Sequence, residues 1–254
     1  MSNVVGIPAA MTRLDEHPPV LKEENPKEID NGIWLPPSDL YSDEPPLESD
    51  LHRQQIDLLI RILQYWWRDR QDFYISGNLT VYYNTQQLKT RDFLGPDVFV
   101  VLGTEKKDRR SWAIWDEGGK YPDVVIELLS PSTARVDKGA KKTLYQDIWR
   151  LPEYFWFDPY TLELAGFRRI NGRYQEIAAT EAGRLPSQVL GLQLGIHEGK
   201  LRWFTAEGGL IPLPEEAERQ RAEQERQRAE QLQQELEQLK AVMRSQGLDP
   251  DSVG

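Results

Sequence analysis

An α/β fold is predicted by three features of the 254-residue sequence. Helical and strand-like apolar patterns alternate through its middle, two short apolar runs are continuous enough to be buried on both faces, and the C-terminal stretch switches to a seven-residue repeat. His52, Ile56, Leu59, Ile60, Leu63, Trp66 and Trp67 recur at helical spacing behind Ser49, a helix-capping residue type, which predicts one amphipathic helix. Runs rich in β-branched and aromatic residues follow at 73–76, 79–83, 97–102 and 123–129, the last two reading as strands buried on both sides. A second helix is predicted at 137–150, with Leu144, Tyr145, Ile148 and Trp149 as its apolar side. Residues 154–158 read as a strand, and 162–167 with 174–177 as an antiparallel pair around Asn171-Gly172.

The two ends differ from this middle. Residues 1–48 hold eight of the 17 prolines and ten Asp/Glu against three Lys/Arg, and read as an acidic, extended N-terminal arm. Residues 219–225 and 226–232 repeat seven letters with a single change. Ala222, Ala229, Leu236 and Met243 fall on one heptad position and Leu232 and Leu239 on the other, predicting a coiled-coil helix over 215–246, a flexible tail at 247–254 and a homodimer, with a solitary solvated helix as the alternative. The folded domain is thereby bounded at 49–214.

Composition removes several chemistries. With no cysteine there are no disulfides, thiolate metal sites or cysteine nucleophiles, and the three histidines are far apart, which argues against structural zinc. Gly118-Gly119-Lys120 resembles the end of a phosphate loop, but Tyr121 stands where Ser or Thr must ligate magnesium. Neither a nucleophile elbow nor an H-E-x-x-H pair occurs. No run of 18 apolar residues and no leader-like start is readable, so the expectation is a cytoplasmic protein with no membrane partner. The net charge of −10 would repel nucleic acid if evenly spread, yet residues 49–214 carry 22 Lys/Arg against 21 Asp/Glu. Candidate pieces of a basic face are Lys106, Lys107, Arg109 and Arg110, the group Arg135, Lys138, Lys141 and Lys142, and Arg168 with Arg169; each also fits an ordinary solvated surface.

The chemistry points to acids set among apolar residues. In the run 123–129, Asp123, Val125, Glu127 and Leu129 share one face, and an ionised Glu127 there costs several kcal/mol, roughly, unless it is paired or bound to a cation. A hairpin through 103–122 would bring Asp97 beside it. Two such carboxylates suit magnesium or manganese, with a strand carbonyl and waters completing the shell. The same residues also fit a salt-bridged core acid and a turn-capping aspartate. On the following helix Lys141 and Tyr145 lie one turn apart, with Asp137 a turn earlier, so one lysine can point back at the carboxylates.

The blocks Gly95-Pro-Asp97-Val-Phe-Val-Val, Tyr121-Pro-Asp-Val-Val-Ile-Glu127-Leu-Leu-Ser130-Pro-Ser-Thr, Asp137-Lys-Gly-Ala-Lys141-Lys-Thr-Leu-Tyr145 and Pro152-Glu-Tyr-Phe-Trp-Phe-Asp158-Pro resemble, in order, those of the Uma-two family of restriction-endonuclease-like proteins, within the PD-(D/E)xK nuclease superfamily. The resemblance covers roughly 50–205. It implies a restriction-endonuclease-like core, a central mixed β-sheet flanked by helices, and a magnesium- or manganese-dependent endonuclease acting on nucleic acid, DNA foremost. Asp97 and Glu127 match the acidic pair, the Leu128 carbonyl is expected to join them, and Lys141 matches a lysine that has migrated from the position Leu129 occupies. Asp123 and His52 match recurrent family residues and join Tyr145 as accessory candidates, while the basic residues Lys106, Lys107, Arg109, Arg110, Arg135, Lys138 and Lys142 are expected, from their charge, to hold the nucleic-acid backbone. The family's Tyr-Glu-Leu segment is replaced by the acidic arm, where Glu48 or Asp50 would have to substitute. Two other classes stay open: an inactive nuclease-fold binding module, and an assembly protein working through its heptad tail.

Overall fold

The computed structural model describes residues 28–29, 33–34, 49–84, 94–130 and 133–247; Glu48, most of the N-terminal arm and the last seven residues of the predicted tail lie outside these. Within the arm, β1 (Glu28–Ile29) and β2 (Ile33–Trp34) pair antiparallel. The intervening sequence holds Asn31-Gly32, a hairpin dipeptide that the reading of an extended arm passes over.

In the body, helix α1 (Asp50–Trp66) starts where Ser49 Oγ accepts the backbone N–H of His52 at 3.3 Å, and it buries Ile56, Leu59, Ile62 and Leu63. The strands are β3 (Phe73–Ser76), β4 (Val81–Tyr82), β5 (Val98–Leu102), β6 (Trp112–Ala113), β7 (Val124–Leu128), β8 (Glu153–Phe157), β9 (Leu164–Ile170) and β10 (Arg173–Glu176). Six of them form one mixed sheet in the order β10-β9-β8-β7-β5-β3. Every neighbouring pair is antiparallel except β7 with β8, which are parallel and joined by helix α2 (134–147) in a strand-helix-strand crossover. The predicted hairpin of β5 and β7 is present, with Val98 opposite Ile126.

Strand alternation decides which face each residue joins. Val98, Val100, Val124, Ile126, Leu128, Phe155 and Phe157 pack with α1 and with a second sheet, β11 (Leu185–Ser187), β12 (Leu192–His197) and β13 (Lys200–Thr205). Phe99, Val101, Val125, Tyr154 and Trp156 pack on the other face with Trp112, Tyr145 and Trp149. The second sheet is clamped to α1 by Gln55, whose side chain donates to Leu201 O at 2.9 Å and accepts from Leu201 N at 3.0 Å. It is tied to the first sheet by Glu153, fully buried, which accepts from Arg168, Ser187 and the backbone of Gln188.

Two findings depart from the sequence reading. No element is predicted between 178 and 213, yet β11 to β13 fill that stretch; the β12–β13 turn at Glu198-Gly199 has both residues at positive φ, which favours a tight hairpin. Helix α2 begins three residues early and ends at Asp147, and Arg150 at φ 51 turns the chain back. Trp149 therefore enters the core while Ile148 faces solvent. The heptad segment is a single helix, α3 (Pro214–Ser245), opened by proline in its first turn, where the missing N–H costs nothing.

Candidate active site

Asp97 immediately precedes β5 and Glu127 is the penultimate residue of β7, so the antiparallel register brings both to one end of the sheet and, by parity, to its α2 face. Glu127 Oε2 accepts the backbone N–H of Asp97 at 3.3 Å, and Asp97 Oδ2 accepts that of Leu128 at 2.7 Å. From α2, Tyr145 donates its hydroxyl to Glu127 Oε1 at 2.5 Å, and Lys141 Nζ lies 3.2 Å from that same oxygen. Lys141 is also paired at 2.9 Å with Asp137 Oδ1. Glu127 and Asp137 have side chains 0% and 1% exposed, whereas the lysine keeps 20% of its surface open.

The local fold of α2 makes this convergence possible. Asp137–Lys141 is a π-helical turn between α-helical turns Ala134–Val136 and Lys142–Asp147. In a regular α-helix, side chains four apart drift around the axis by about 40° per step. The wider turn takes up part of that drift, so Asp137, Lys141 and Tyr145 stay on the Glu127 side. The Asp137 carbonyl, at the start of that wider turn, accepts the Tyr154 hydroxyl at 3.0 Å.

Three carboxyl groups thus surround one ammonium, and burial is the largest influence on their protonation. Burial pushes Glu127 up to about 7; Lys141 opposes the rise and the Asp97 charge adds to it. Burial raises Asp97 to about 6 against the Leu128 N–H and Lys141, and raises Asp137 as well. Burial alone would lower Lys141, but Glu127 and Asp137 outweigh it and hold the ammonium charged. Burial and the Glu127 charge raise the Tyr145 phenol, which keeps it a donor.

This donor set fits a hard divalent cation. Asp97 and Glu127 offer carboxylate oxygens with unused lone pairs beside uncompensated negative charge, and Mg²⁺ or Mn²⁺ take such ligands with waters making up the shell. The Leu128 carbonyl accepts His52 Nε2 at 3.1 Å, which leaves one lone pair for a metal. His52, buried on α1 and bonded at Nδ1 to Ser49 Oγ, is a clamp between the helix start and the end of β7. Among the described residues, no group of three or more His, Cys, Asp or Glu is arranged to hold a metal, so any site here is built on the two acids.

Other predicted residues fall elsewhere. The loop 103–122 joins the far ends of β5 and β7, about 16 Å from Asp97 and Glu127 at the rise of a five-residue strand. Lys106, Lys107, Arg109, Arg110 and Asp123 are therefore at the opposite end of the sheet from the acidic pair. Arg109 is a core cation, 4% exposed, ion-paired to Glu117 at 2.6 Å and set over the rings of Tyr74 and Trp112. Asp123 accepts the backbone N–H of Leu102 at 2.7 Å, with the Lys120 charge favouring its ionised form against burial. Arg135, Lys138 and Lys142 are on α2 with Lys141. Lys138 is paired with Glu163 and lies over Trp156, and Lys142 sits 3.2 Å from the centre of the Phe167 ring.

Asp137 and Gly77 are the residues the sequence reading undervalues. Asp137 is visible in the four-residue spacing to Lys141; Gly77 gives no signal. A Cβ on Gly77 would lie 2.3 Å from the Asp97 carbonyl and 2.6 Å from Ile56 Cγ2, both fixed by the sheet and α1. Gly77→Ala must therefore displace Asp97, and it is expected to destabilise the protein by about 1–3 kcal/mol, measured by urea unfolding.

A model of the family described as "Uma2: Putative restriction endonuclease" matches residues 40–204. No curated protein matches the sequence. Among solved structures, one titled as a putative nuclease belonging to DUF820 from Anabaena variabilis ATCC 29413 is similar at 15% identity and a TM-score of 0.41, covering 57% of this chain and 75% of that one. Among the described residues no helix is long and apolar enough to cross a membrane.

Proposed function

The chain belongs to the Uma2 family, and from that premise we propose that it is a metal-dependent endonuclease hydrolysing phosphodiester bonds of nucleic acid, with Asp97, Glu127 and Lys141 as its catalytic residues. The observation that carries this reading is the meeting, at one sheet end, of two under-compensated carboxylates with a single lysine from the following helix. A divalent cation held by Asp97 and Glu127 supplies Lewis acidity toward the scissile phosphate and toward water.

The remaining work falls to the chain's own groups. Lys141, open to solvent on one side, directs its ammonium toward a phosphate oxygen or an attacking water and offsets charge that builds during hydrolysis. Asp137 holds that lysine in place from the next turn, and Tyr145 fixes Glu127 Oε1, so neither charged group has to reorient in the transition state. Arg135, Lys138 and Lys142, on the same helix as Lys141, are assigned in this reading to the sugar-phosphate backbone, a contact that positions the substrate without reading bases.

A second reading is a non-cleaving nucleic-acid-binding module. It is favoured by the complete burial of Glu127, both of whose oxygens have protein partners. Incubation of supercoiled plasmid with the protein and Mn²⁺ separates the two. The nuclease reading expects nicked and linear products from the wild type and none without the ion. Retarded but uncut plasmid would support the binding module.

A further inference from the structure

We propose that the C-terminal half of α3, residues 229–243, forms a parallel two-stranded coiled coil with a second copy of this chain, an inference that does not rest on the nuclease reading. The first turns of the helix belong to the body: Glu215 is paired with Arg61 at 2.9 Å, Glu216 with Arg202 at 2.7 Å, and Arg221 donates to the Tyr65 hydroxyl at 2.6 Å. Further along, Leu232, Leu236, Leu239 and Val242 are each 50–58% exposed, the densest run of bare aliphatic residues in the described body.

Their spacing identifies the occupant. With Ala229, Leu236 and Met243 at heptad position a, Leu232 and Leu239 take position d, Glu235 a g position and Lys240 the e position that follows it. In a parallel pair, Glu235 of each copy meets Lys240 of the other, two reciprocal ion pairs flanking the leucines. In an antiparallel pair over the same leucines, Glu235 would face Val242 and Lys240 would face Gln233, and both ion pairs vanish. The stripe is thus complementary to itself in one orientation. Toward the body the seam worsens, because Glu225 sits at d and Arg221 meets Arg226 across the pair. The contact is confined to about two heptads, which makes the dimer weak and concentration-dependent. Parallel helices also place both bodies at the same end, with the proximal turns splayed.

The absence of native cysteine gives a clean test in the full chain. Met243→Cys is expected to form a disulfide-linked dimer under mild oxidation, since equivalent a positions face each other only in the parallel pair, and sedimentation equilibrium of the wild type should show reversible dimerisation. Lys240→Glu should weaken association, and the double swap Glu235→Lys with Lys240→Glu should restore it. A wild type that stays monomeric at every concentration, a cross-link that forms only when Leu232→Cys is combined with Met243→Cys, or a double swap no better than the single change would each overturn the proposal.

Discussion

Glu127→Gln is expected to lower phosphodiester cleavage on the order of 10³-fold while the protein stays folded. The carboxamide keeps the volume of the side chain; its oxygen can accept the Asp97 N–H while its NH2 donates to a Tyr145 hydroxyl turned to accept, so the local packing survives. It loses the negative charge that draws a divalent cation and the partner that Lys141 faces. Glu127 is fully buried with its carboxyl raised to about 7, so above that pH the ionised form is a burden on the fold. Relieving it should leave the melting temperature at pH 8 unchanged or higher. Loss of activity together with a lower melting temperature would mean that the glutamate is a structural ion-pair partner, and undiminished cleavage would remove it from the mechanism.

Lys141→Met should be damaging in two ways. It strips the ammonium from Glu127 and Asp137, side chains at most 1% exposed, and breaking a buried pair from one side costs about 3–5 kcal/mol. Cleavage should vanish with it. The pH dependence distinguishes this cost from simple misfolding. Asp97 and Glu127 have folded-state values raised to about 6 and about 7, above those of the unfolded chain, so the folded state binds protons more tightly. The stability this confers is present at low pH and lost as pH rises through 6 to 7. Without the lysine both values rise further and the loss extends to higher pH, so Lys141→Met should approach wild-type stability near pH 5 and fall well below it at pH 8. Denaturant unfolding at the two values, free of metal, measures the difference; a pH-independent deficit would contradict the electrostatic account.

The acidic pair is legible in the sequence because charge inside an apolar strand is costly and so conspicuous, and because a hairpin of β5 and β7 leaves Asp97 nowhere else to be. Lys141 is legible as a helix position following that strand, and its selection over Lys138 and Lys142 comes from family resemblance. The distance of Lys106 to Arg110 from the acidic pair has a topological cause: a hairpin that unites Asp97 with Glu127 necessarily sends its own loop to the other end. Charge counting ignores which end a loop occupies. Arg109 shows the same gap, since nothing in the letters tells a guanidinium set over the Tyr74 and Trp112 rings from one in water. The π-turn of α2 and the close approach of Gly77 to Asp97 depend on packing between distant segments, and β11 to β13 are short strands whose stability comes from clamps such as Gln55 on Leu201.

Direct titration with Mn²⁺, followed by loss of the free-ion paramagnetic resonance signal, addresses the shared excess of negative charge at Asp97 and Glu127. The wild type is expected to take up the ion at pH 8, with binding lost in both Asp97→Asn and Glu127→Gln. Uptake equal in wild type and variants, or no uptake by the wild type at all, would contradict it.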